Sequence, residues 1–333
     1  MQIDVCHGDA DGLCAVVQWR LQNPPHNRLV CGLKRDIELL HSLPANRGDE
    51  VLVCDLSLRR NYKALQGLLN RGVRVHYFDH HGVTDIPEHP MLDAHINTSP
   101  STCTCLLMDH YLSGRSRGWA VVGAFGDNLG AAAEQLAGTL HMACTDVKRL
   151  QTLGEAINHN AYGESAQDVH ILPSDLFDLM VRYPDPLTFL AHESIGDTLD
   201  ALRQDDLGRA QAVVPCNQNA QATVYLLPDE PWGRRVMGSL GNTLARKHPD
   251  QAHALLKATR RGGFTASVRA PLNTPSGAVD LCRQFGGDGR AGAAGIDHLP
   301  NHLLGRFVDA FMHARWGAAV APKDAFVTPA EYS

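Results

Sequence analysis

Residues 75–82 read VHYFDHHG, an apolar and aromatic run that ends in one aspartate and two adjacent histidines. The packing of a buried strand gives no reason for three acid–base or metal-binding groups at its end. Upstream, Ile3–Cys6, Arg28–Cys31, Glu50–Cys54 and Arg74–Phe78 are short runs rich in β-branched and aromatic residues, and they read as strands. Between the last two, Tyr62, Leu65, Leu68 and Leu69 recur at helical spacing, which makes a βαβ crossover. That alternation predicts a parallel sheet with helices on both faces. In such a sheet, ligands gather outside the carboxyl ends of the strands.

The chemistry sits at those ends. The first strand runs out into CHGDADG, with His7, Asp9 and Asp11 at alternate positions before Gly12. The third ends in Asp55, within VLVCDLS, and the fourth in Asp79, His80 and His81. A later apolar helix, WAVVGAFGDN, delivers Asp127. Taken singly, His7–Asp11 could be an acidic turn, Asp55 a helix cap and Asp127 a turn residue. Their joint occurrence at strand ends that open on one edge is what carries weight.

Carboxylates crowded in this way raise one another's pKa, and divalent cations relieve the repulsion. Mixed Asp/His ligation suits Mn²⁺, Co²⁺ or Zn²⁺ better than Mg²⁺. The donors exceed what one ion with open positions needs. The expectation is therefore two divalent ions, Mn²⁺ first, roughly 3.5–4 Å apart and sharing a carboxylate. A pair of that kind activates water and clamps a phosphoryl oxygen, the chemistry of a phosphoester hydrolase.

Bulk properties set limits around this reading. At 333 residues the chain is long enough for two domains, and its 44% apolar content supports a core in each. No apolar stretch approaches the roughly 20 residues that span a bilayer, and the N-terminus does not read as a signal peptide. The nine cysteines are scattered, and Cys103 and Cys105 stand at the wrong interval for a CxxC motif, so reduced thiols in the cytoplasm are expected. The net charge of −6 argues against nonspecific coating of nucleic acid. Residues 230–315 hold twelve Lys/Arg against six Asp/Glu, a local +6 that leaves −12 for the remainder.

Residues 101–210 read as mostly helical, with Ser101 or Thr102 capping one helix, Pro186 opening another, and a connecting helix at Leu199–Leu207. After a polar stretch at Pro215–Asn219 come a strand at Ala222–Leu227 and a helix near Val236–Lys247. Strands at His253–Thr259 and Phe264–Arg269 are joined by Arg260–Gly263 as a hairpin, and a helix near Gly277–Gln284 follows. The glycine-rich run GGDGRAGAAG reads as a loop, and a last helix falls near Leu303–Arg315.

In order, His7–Gly8–Asp9–Ala10–Asp11–Gly12, Asp55, the triplet Asp79–His80–His81 and Asp127 resemble the four motifs of the DHH phosphoesterase superfamily. The C-terminal half resembles the subtype-1 DHH-associated domain of nanoRNases and RecJ-like exonucleases. Its GGGHxxAAG signature stands here as Gly287–Gly295, GDGRAGAAG, with Asp288 in place of a glycine and Arg290 in place of the usual histidine. Ser267–Val268–Arg269–Ala270 is similar to the family's SxRS strand, apart from Ala270.

The resemblance implies an α/β fold: a parallel-sheet DHH domain at 1–195, a connecting helix at 196–215, and a smaller α/β substrate-binding domain at 216–318. It implies an active-site cleft between the two, and a loose tail follows at 319–333. By the family pattern His7, Asp9 and Asp55 hold one ion, and Asp11, Asp55, His80 and Asp127 the other. His81 meets substrate phosphate and Asp79 steadies the site. Arg269, Arg290 and the loop glycines Gly287, Gly289 and Gly295 bind substrate.

The expected reaction is hydrolysis of short oligonucleotides or linear dinucleotides such as pGpG. Long nucleic acid would call for a basic track interleaved with aromatics, and aromatics are only 6% of the chain. Neither a long duplex nor a membrane is an expected partner, and a homodimer is left open. The competing readings are a phosphatase acting on 3′-phosphorylated nucleotides or other small phosphoesters, and a non-catalytic nucleotide-binding sensor.

Overall fold

The computed structural model describes residues 1–23, 28–83, 85–259 and 262–317. It divides into two units, one comprising Met1–Gly208 with Arg234–Val236, the other Arg209–Gly233 with the chain from Met237 onward. The sheet of the first unit has strands β1 (Gln2–His7), β2 (Arg28–Gly32), β3 (Glu50–Cys54), β4 (Arg74–Asp79) and β5 (Leu92–Ile96). They lie in the order β2-β1-β3-β4-β5, and every neighbouring pair is parallel. The four strands expected from the sequence are present. The fifth, LDAHI, is not among those expectations, because its polar Asp93 and His95 and its half-buried positions mute the strand signal at a sheet edge.

Both faces of this sheet are covered, so its strands carry apolar side chains in both directions. Val5, Val53, Val75 and Tyr77 pack with Leu65 and Leu68 of helix α2 (Leu58–Asn70), which follows α1 (Ala10–Gln22) in the chain. On the other face Cys6, Cys54 and Phe78 pack with Leu13 and Val17 of α1 and with Trp119. Strand β1 pairs with β2 on one side and β3 on the other, so the connections leaving β1 and β3 diverge. In an open α/β sheet the crevice at that switch point is where ligands bind.

The rest of the first unit is helical, as expected. It consists of α3 (Thr104–Tyr111), α4 (Arg117–Gly126), α5 (Gly130–Thr139), α6 (Cys144–Asn160), α7 (Pro173–Met180), α8 (Pro186–His192) and α9 (Ile195–Gln211). Pro186 does open α8, with the Asp185 carboxylate accepting from the Thr188 N–H at 2.9 Å. Neither Ser101 nor Thr102 caps α3. The cap residue is Cys103, whose side chain makes no capping bond, and the free N–H groups of Thr104 and Cys105 donate instead to the distant carboxylate of Asp11. Among the described residues, no helix is long and apolar enough to cross a membrane.

The second unit contains β6 (Asn217–Gln218), β7 (Ala222–Leu227), α10 (Pro231–Lys247), β8 (Ala252–Ala258), β9 (Phe264–Arg269), α11 (Ala278–Arg283), β10 (Asp288–Gly289), β11 (Ala293–Leu299) and α12 (Leu304–Met312). Its sheet runs β10-β11-β9-β8-β7-β6, with only β7 and β8 parallel, joined through α10. The polar stretch expected to be a loop at 215–219 contains the short strand β6, paired to β7. GGDGRAGAAG is likewise more ordered than a loop, since β10 and the start of β11 form a hairpin inside it and β11 then pairs with β9. Residues 260 and 261 of the expected turn and the expected tail at 319–333 lie outside the described residues.

The position of Asp127 depends on a close approach of two helices. Gly154 of α6 lies so near α4 that a Cβ there would stand 2.2 Å from the Val122 carbonyl oxygen and 3.0 Å from the Gly126 N–H nitrogen. Backbone cannot yield as a flexible side chain can. Gly154→Ala is therefore expected to destabilise the protein by about 1–3 kcal/mol through overpacking. The check is the shift in urea midpoint relative to Gly138→Ala, an α5 glycine whose added Cβ would meet nothing within 4 Å.

Candidate metal centre

Three strand ends and one helix end build the site. Strand β1 stops at His7, and the chain turns at once into α1, whose N-cap is Asp9. The turn is so tight that a Cβ on Gly12 would lie 2.3 Å from the His7 carbonyl oxygen. The Asp9 carboxylate accepts from Gly12 N–H at 3.1 Å through one oxygen, and its other oxygen accepts from the Lys34 ammonium at 2.6 Å. Asp11, in the first turn of α1, accepts from Thr104 N–H at 2.8 Å and Cys105 N–H at 2.7 Å.

Asp55 follows β3 with φ at +60°, a left-handed conformation that a non-glycine residue rarely adopts. Its N–H donates to Phe78 O at 3.0 Å, which ties it to the end of β4. Strain of this sort concentrates at functional sites. Here it aims the carboxylate between two histidines, with Oδ2 3.6 Å from His7 Nδ1 and Oδ1 3.4 Å from His80 Nε2.

Every expected metal-binding residue enters this one volume. His7, Asp9 and Asp55 offer donor atoms within 4.8 Å of one another, and so do Asp11, His80 and Asp127. Asp55 joins the two groups, because it also lies with His80 and His81 in a third set of the same span. His80 Nε2 is 3.8 Å from Asp11 and 3.9 Å from Asp127.

The imidazoles are oriented from behind. His7 Nε2 donates to Lys34 O at 3.0 Å and His80 Nδ1 to Thr102 O at 3.2 Å. Since a carbonyl only accepts, each ring keeps its other nitrogen for the cluster. Asp79 faces elsewhere. It is fully buried, accepting from Leu58 N–H at 3.1 Å and from His81, by the backbone N–H at 3.1 Å and the ring at 2.7 Å. His81 remains about 39% exposed at the mouth of the site.

The electrostatics follow from this crowding. Burial, reinforced by Asp55, pushes the Asp11 carboxyl up to about 7. Burial also raises Asp127. Asp55 goes the other way: burial opposes its charge, but hydrogen bonds from His7 and His80 hold it well below the usual carboxylate range. Burial opposes charge on His80 too, and its bond to Asp55 prevails, lifting it to about 10. His7 and His81 are raised against burial by Asp55 and Asp79 respectively. In the metal-free protein, the His80 imidazolium and Lys34 are thus counter-cations of the carboxylates, and the raised His7 and His81 favour the same balance. Clustered carboxylates and neutral-capable imidazoles, each fixed by a bond behind it, are a donor set that fits borderline divalent ions.

Sequence reasoning missed Lys34 and Asn158, which accepts from the Lys34 ammonium at 3.0 Å. Lys34 lies two residues beyond the end of β2, so the strand-end rule reaches it once β2 is followed as the other strands were. In the second unit, Arg269 ends β9, where its side chain bonds Asn242 Oδ1 at 3.0 Å and Ser267 Oγ at 3.1 Å. Arg290 is exposed in the β10–β11 turn, its N–H bonded to Ala293 O at 2.7 Å, and Ala293 pairs with Arg269 across the sheet. Gly289 and Gly295 belong to that hairpin, and Gly287 immediately precedes it.

No protein-family model matches this chain, and no curated relative does. Solved structures do. A RecJ exonuclease bound to manganese is similar with a TM-score of 0.58 at 19% identity, over 93% of this chain and 89% of that one. RecJ from Thermus thermophilus, in complex with Mn²⁺, gives 0.60 at 20%, over 93% of this chain and 51% of the longer RecJ. The pGpG-specific phosphodiesterase PggH from Vibrio cholerae gives 0.51 at 12%, over 93% and 97%. The architecture is therefore a RecJ-like fold.

Metal uptake by this site is expected to expel protons. His80, raised to about 10, carries a proton at neutral pH that a cation must displace, and the upward shift of His7 acts in the same direction. Apparent Mn²⁺ affinity should therefore rise as pH rises through neutrality and fall as pH drops. Calorimetric titration of the metal-free protein in buffers of different ionisation enthalpy measures the protons released. Equal heats in all buffers would contradict the assignment.

Proposed function

We propose that the chain is a divalent-metal-dependent phosphodiesterase that cleaves short oligonucleotides or linear dinucleotides, pGpG among them, to mononucleotides. The observation that carries this is the pair of Asp/His donor groups joined through Asp55 at the switch point of a parallel sheet. In this reading His7, Asp9 and Asp55 hold one ion, and Asp11, Asp55, His80 and Asp127 the other, Mn²⁺ being the metal present in both RecJ neighbours. Bound there, the ions would supply Lewis acidity and a lowered pKa for water.

The chain's own residues do the rest. His81, gripped through Nδ1 by Asp79, keeps Nε2 free at the exposed mouth. From there it donates to a phosphoryl oxygen on which charge grows. Lys34 holds the outer oxygen of Asp9. That contact fixes the carboxylate's rotation, which in turn decides where its lone pairs point. In the second unit, Arg269 and Arg290 are assigned to substrate phosphate. Arg290 offers the two-pronged geometry that suits a phosphate.

Small substrates are favoured on two grounds. The low aromatic content and the local confinement of basic charge do not suit a long single strand. One neighbour of nearly equal length is named for pGpG. The test is an Mn²⁺-supplemented assay on pGpG, other dinucleotides, longer oligomers, pyrophosphate and 3′-phosphoadenosine phosphate. Turnover should be greatest on the shortest diesters and absent after chelation. Turnover of pyrophosphate alone would overturn the reading.

Asp127→Ala should leave the fold intact, since Asp127 is partly exposed and ends its helix, while lowering kcat by ~100-fold or more. Lys34→Met should cost roughly 10–100-fold, as for groups that orient a metal ligand. Arg290→Ala should raise KM with kcat largely kept. Steady-state kinetics beside circular dichroism separates these outcomes.

A further inference from the structure

Beside the Asp/His groups lies a pair of thiols that the proposed reaction does not use. Cys103 and Cys105 are two residues apart, an interval at which neither a CxxC metal motif nor a helical face would pair them. Here the chain turns between them: Cys103 is extended, with φ −142° and ψ 172°, and Thr104 begins α3. The turn brings the two thiols together, with Sγ–Sγ at 3.4 Å. An Asp11 oxygen joins them, the three donors lying within 4.8 Å of one another. All three residues are at most 1% exposed.

We propose that Cys103, Cys105 and Asp11 form a site for a thiophilic divalent cation of the zinc class, and that filling it removes Asp11 from the manganese site. Core cysteines ordinarily behave as small apolar groups. These two differ in facing a buried carboxylate already committed to the neighbouring cluster. Two thiolates and one carboxylate are a donor set that zinc accepts with a fourth position open, whereas manganese binds thiolate weakly. On entry the cation displaces one proton from each thiol, and the two sulfurs and the carboxylate become its ligands. The cluster that contains Asp11 reaches solvent at Asp127, which shares a donor group with it and keeps 22% of its side chain exposed. Unlike the bridging Asp55, Asp11 already accepts an N–H on each oxygen, and a second cation beside it would repel the first, so the two occupancies compete. An oxidative role for the pair is less favoured, because oxidants act on exposed thiolates and these thiols are fully buried.

Cd²⁺ serves as the probe, because its bonds to thiolate absorb in the ultraviolet. The exposed Cys144 and Cys216 are first replaced by serine to remove adventitious binding. Adding Cd²⁺ to this Mn²⁺-loaded protein should produce a thiolate band that saturates near one equivalent, while paramagnetic resonance shows free Mn²⁺ rising in step. Cys103→Ser and Cys105→Ser, each made singly, should weaken the band at least tenfold. Cys282→Ala, which removes a buried thiol of the second unit, should leave it unchanged. Absence of the band in the starting protein overturns the site, and so does an undiminished band in both serine variants. A band that grows with no release of Mn²⁺ overturns the competition. The competition rests on Asp11 serving manganese as proposed above, but neither readout depends on which phosphoester is cleaved.

Discussion

Four buried or nearly buried carboxylates share one small volume, and the structure around them is arranged to make that tolerable. Asp9, Asp11, Asp55 and Asp127 would each raise the others' pKa, and burial adds to the penalty. Relief comes from the three imidazoles and Lys34, whose ammonium burial disfavours but whose attraction to Asp9 raises it well above its ordinary value. Asp55 is the pivot, since His7 and His80 both lean on it and their hydrogen bonds keep it ionised against burial. Its left-handed backbone is the local cost of facing both at once. A pair of divalent cations concentrates the same positive charge in less space. The site is therefore complementary to metal even when protons stand in its place.

The helices are fastened to the same acids. Asp9 caps α1 through Gly12, Asp11 receives the first N–H groups of α3, and Asp79 receives the first N–H of α2. Helix starts carry unpaired donors and partial positive charge, so each carboxylate gains both hydrogen bonds and a favourable field. Helices α1 and α3 therefore begin on the clustered acids themselves, while α2 begins on Asp79 behind them. Any anion arriving there would meet the same field. Fold and site share these contacts, so a substitution at Asp11 disturbs the start of α3 as well as the donor cluster. One at Asp127, which ends α4 as its C-cap, does not disturb a helix start.

Much of this could be read in the sequence because side chains at strand ends are constrained by topology. Once β1, β3 and β4 are recognised as parallel, His7, Asp55 and His80 must open on the same edge, and the structure brings them together. Asp127 was legible as the polar end of an apolar helix. What could not be read depended on contacts between distant segments. The N–H groups that open α3 are met by Asp11, and no local pattern around Ser101 or Thr102 reveals a carboxylate supplied from beyond the end of β1. Strand β5 carries Asp93 and His95, which weaken the alternation that marks a strand. The thiols of Cys103 and Cys105 are unrelated by spacing, since only the turn into α3 brings them side by side. The hairpin within GGDGRAGAAG was hidden because glycine signals a loop, whereas here pairing with β9 supplies the order that the local sequence lacks.

The triplet Asp79–His80–His81 shows how one strand end can serve three purposes. While the chain is still a strand, successive side chains point to opposite faces. Asp79, the last residue of β4, points into the protein and holds α2 and His81. His80 turns the other way, into the carboxylates, where it lies 3.4 Å from Asp55. His81 falls where pairing has ended, so its ring is free of the alternation and is set by Asp79, 2.7 Å away, near the exposed rim. A register slip of one residue would send His80 outward and put Asp79 among the other carboxylates, exchanging a buried cation for a buried anion. The register of β4 against β3, fixed by Val75 and Tyr77 on the α2 face and Phe78 on the other, is thus as much a part of the site as the imidazoles themselves.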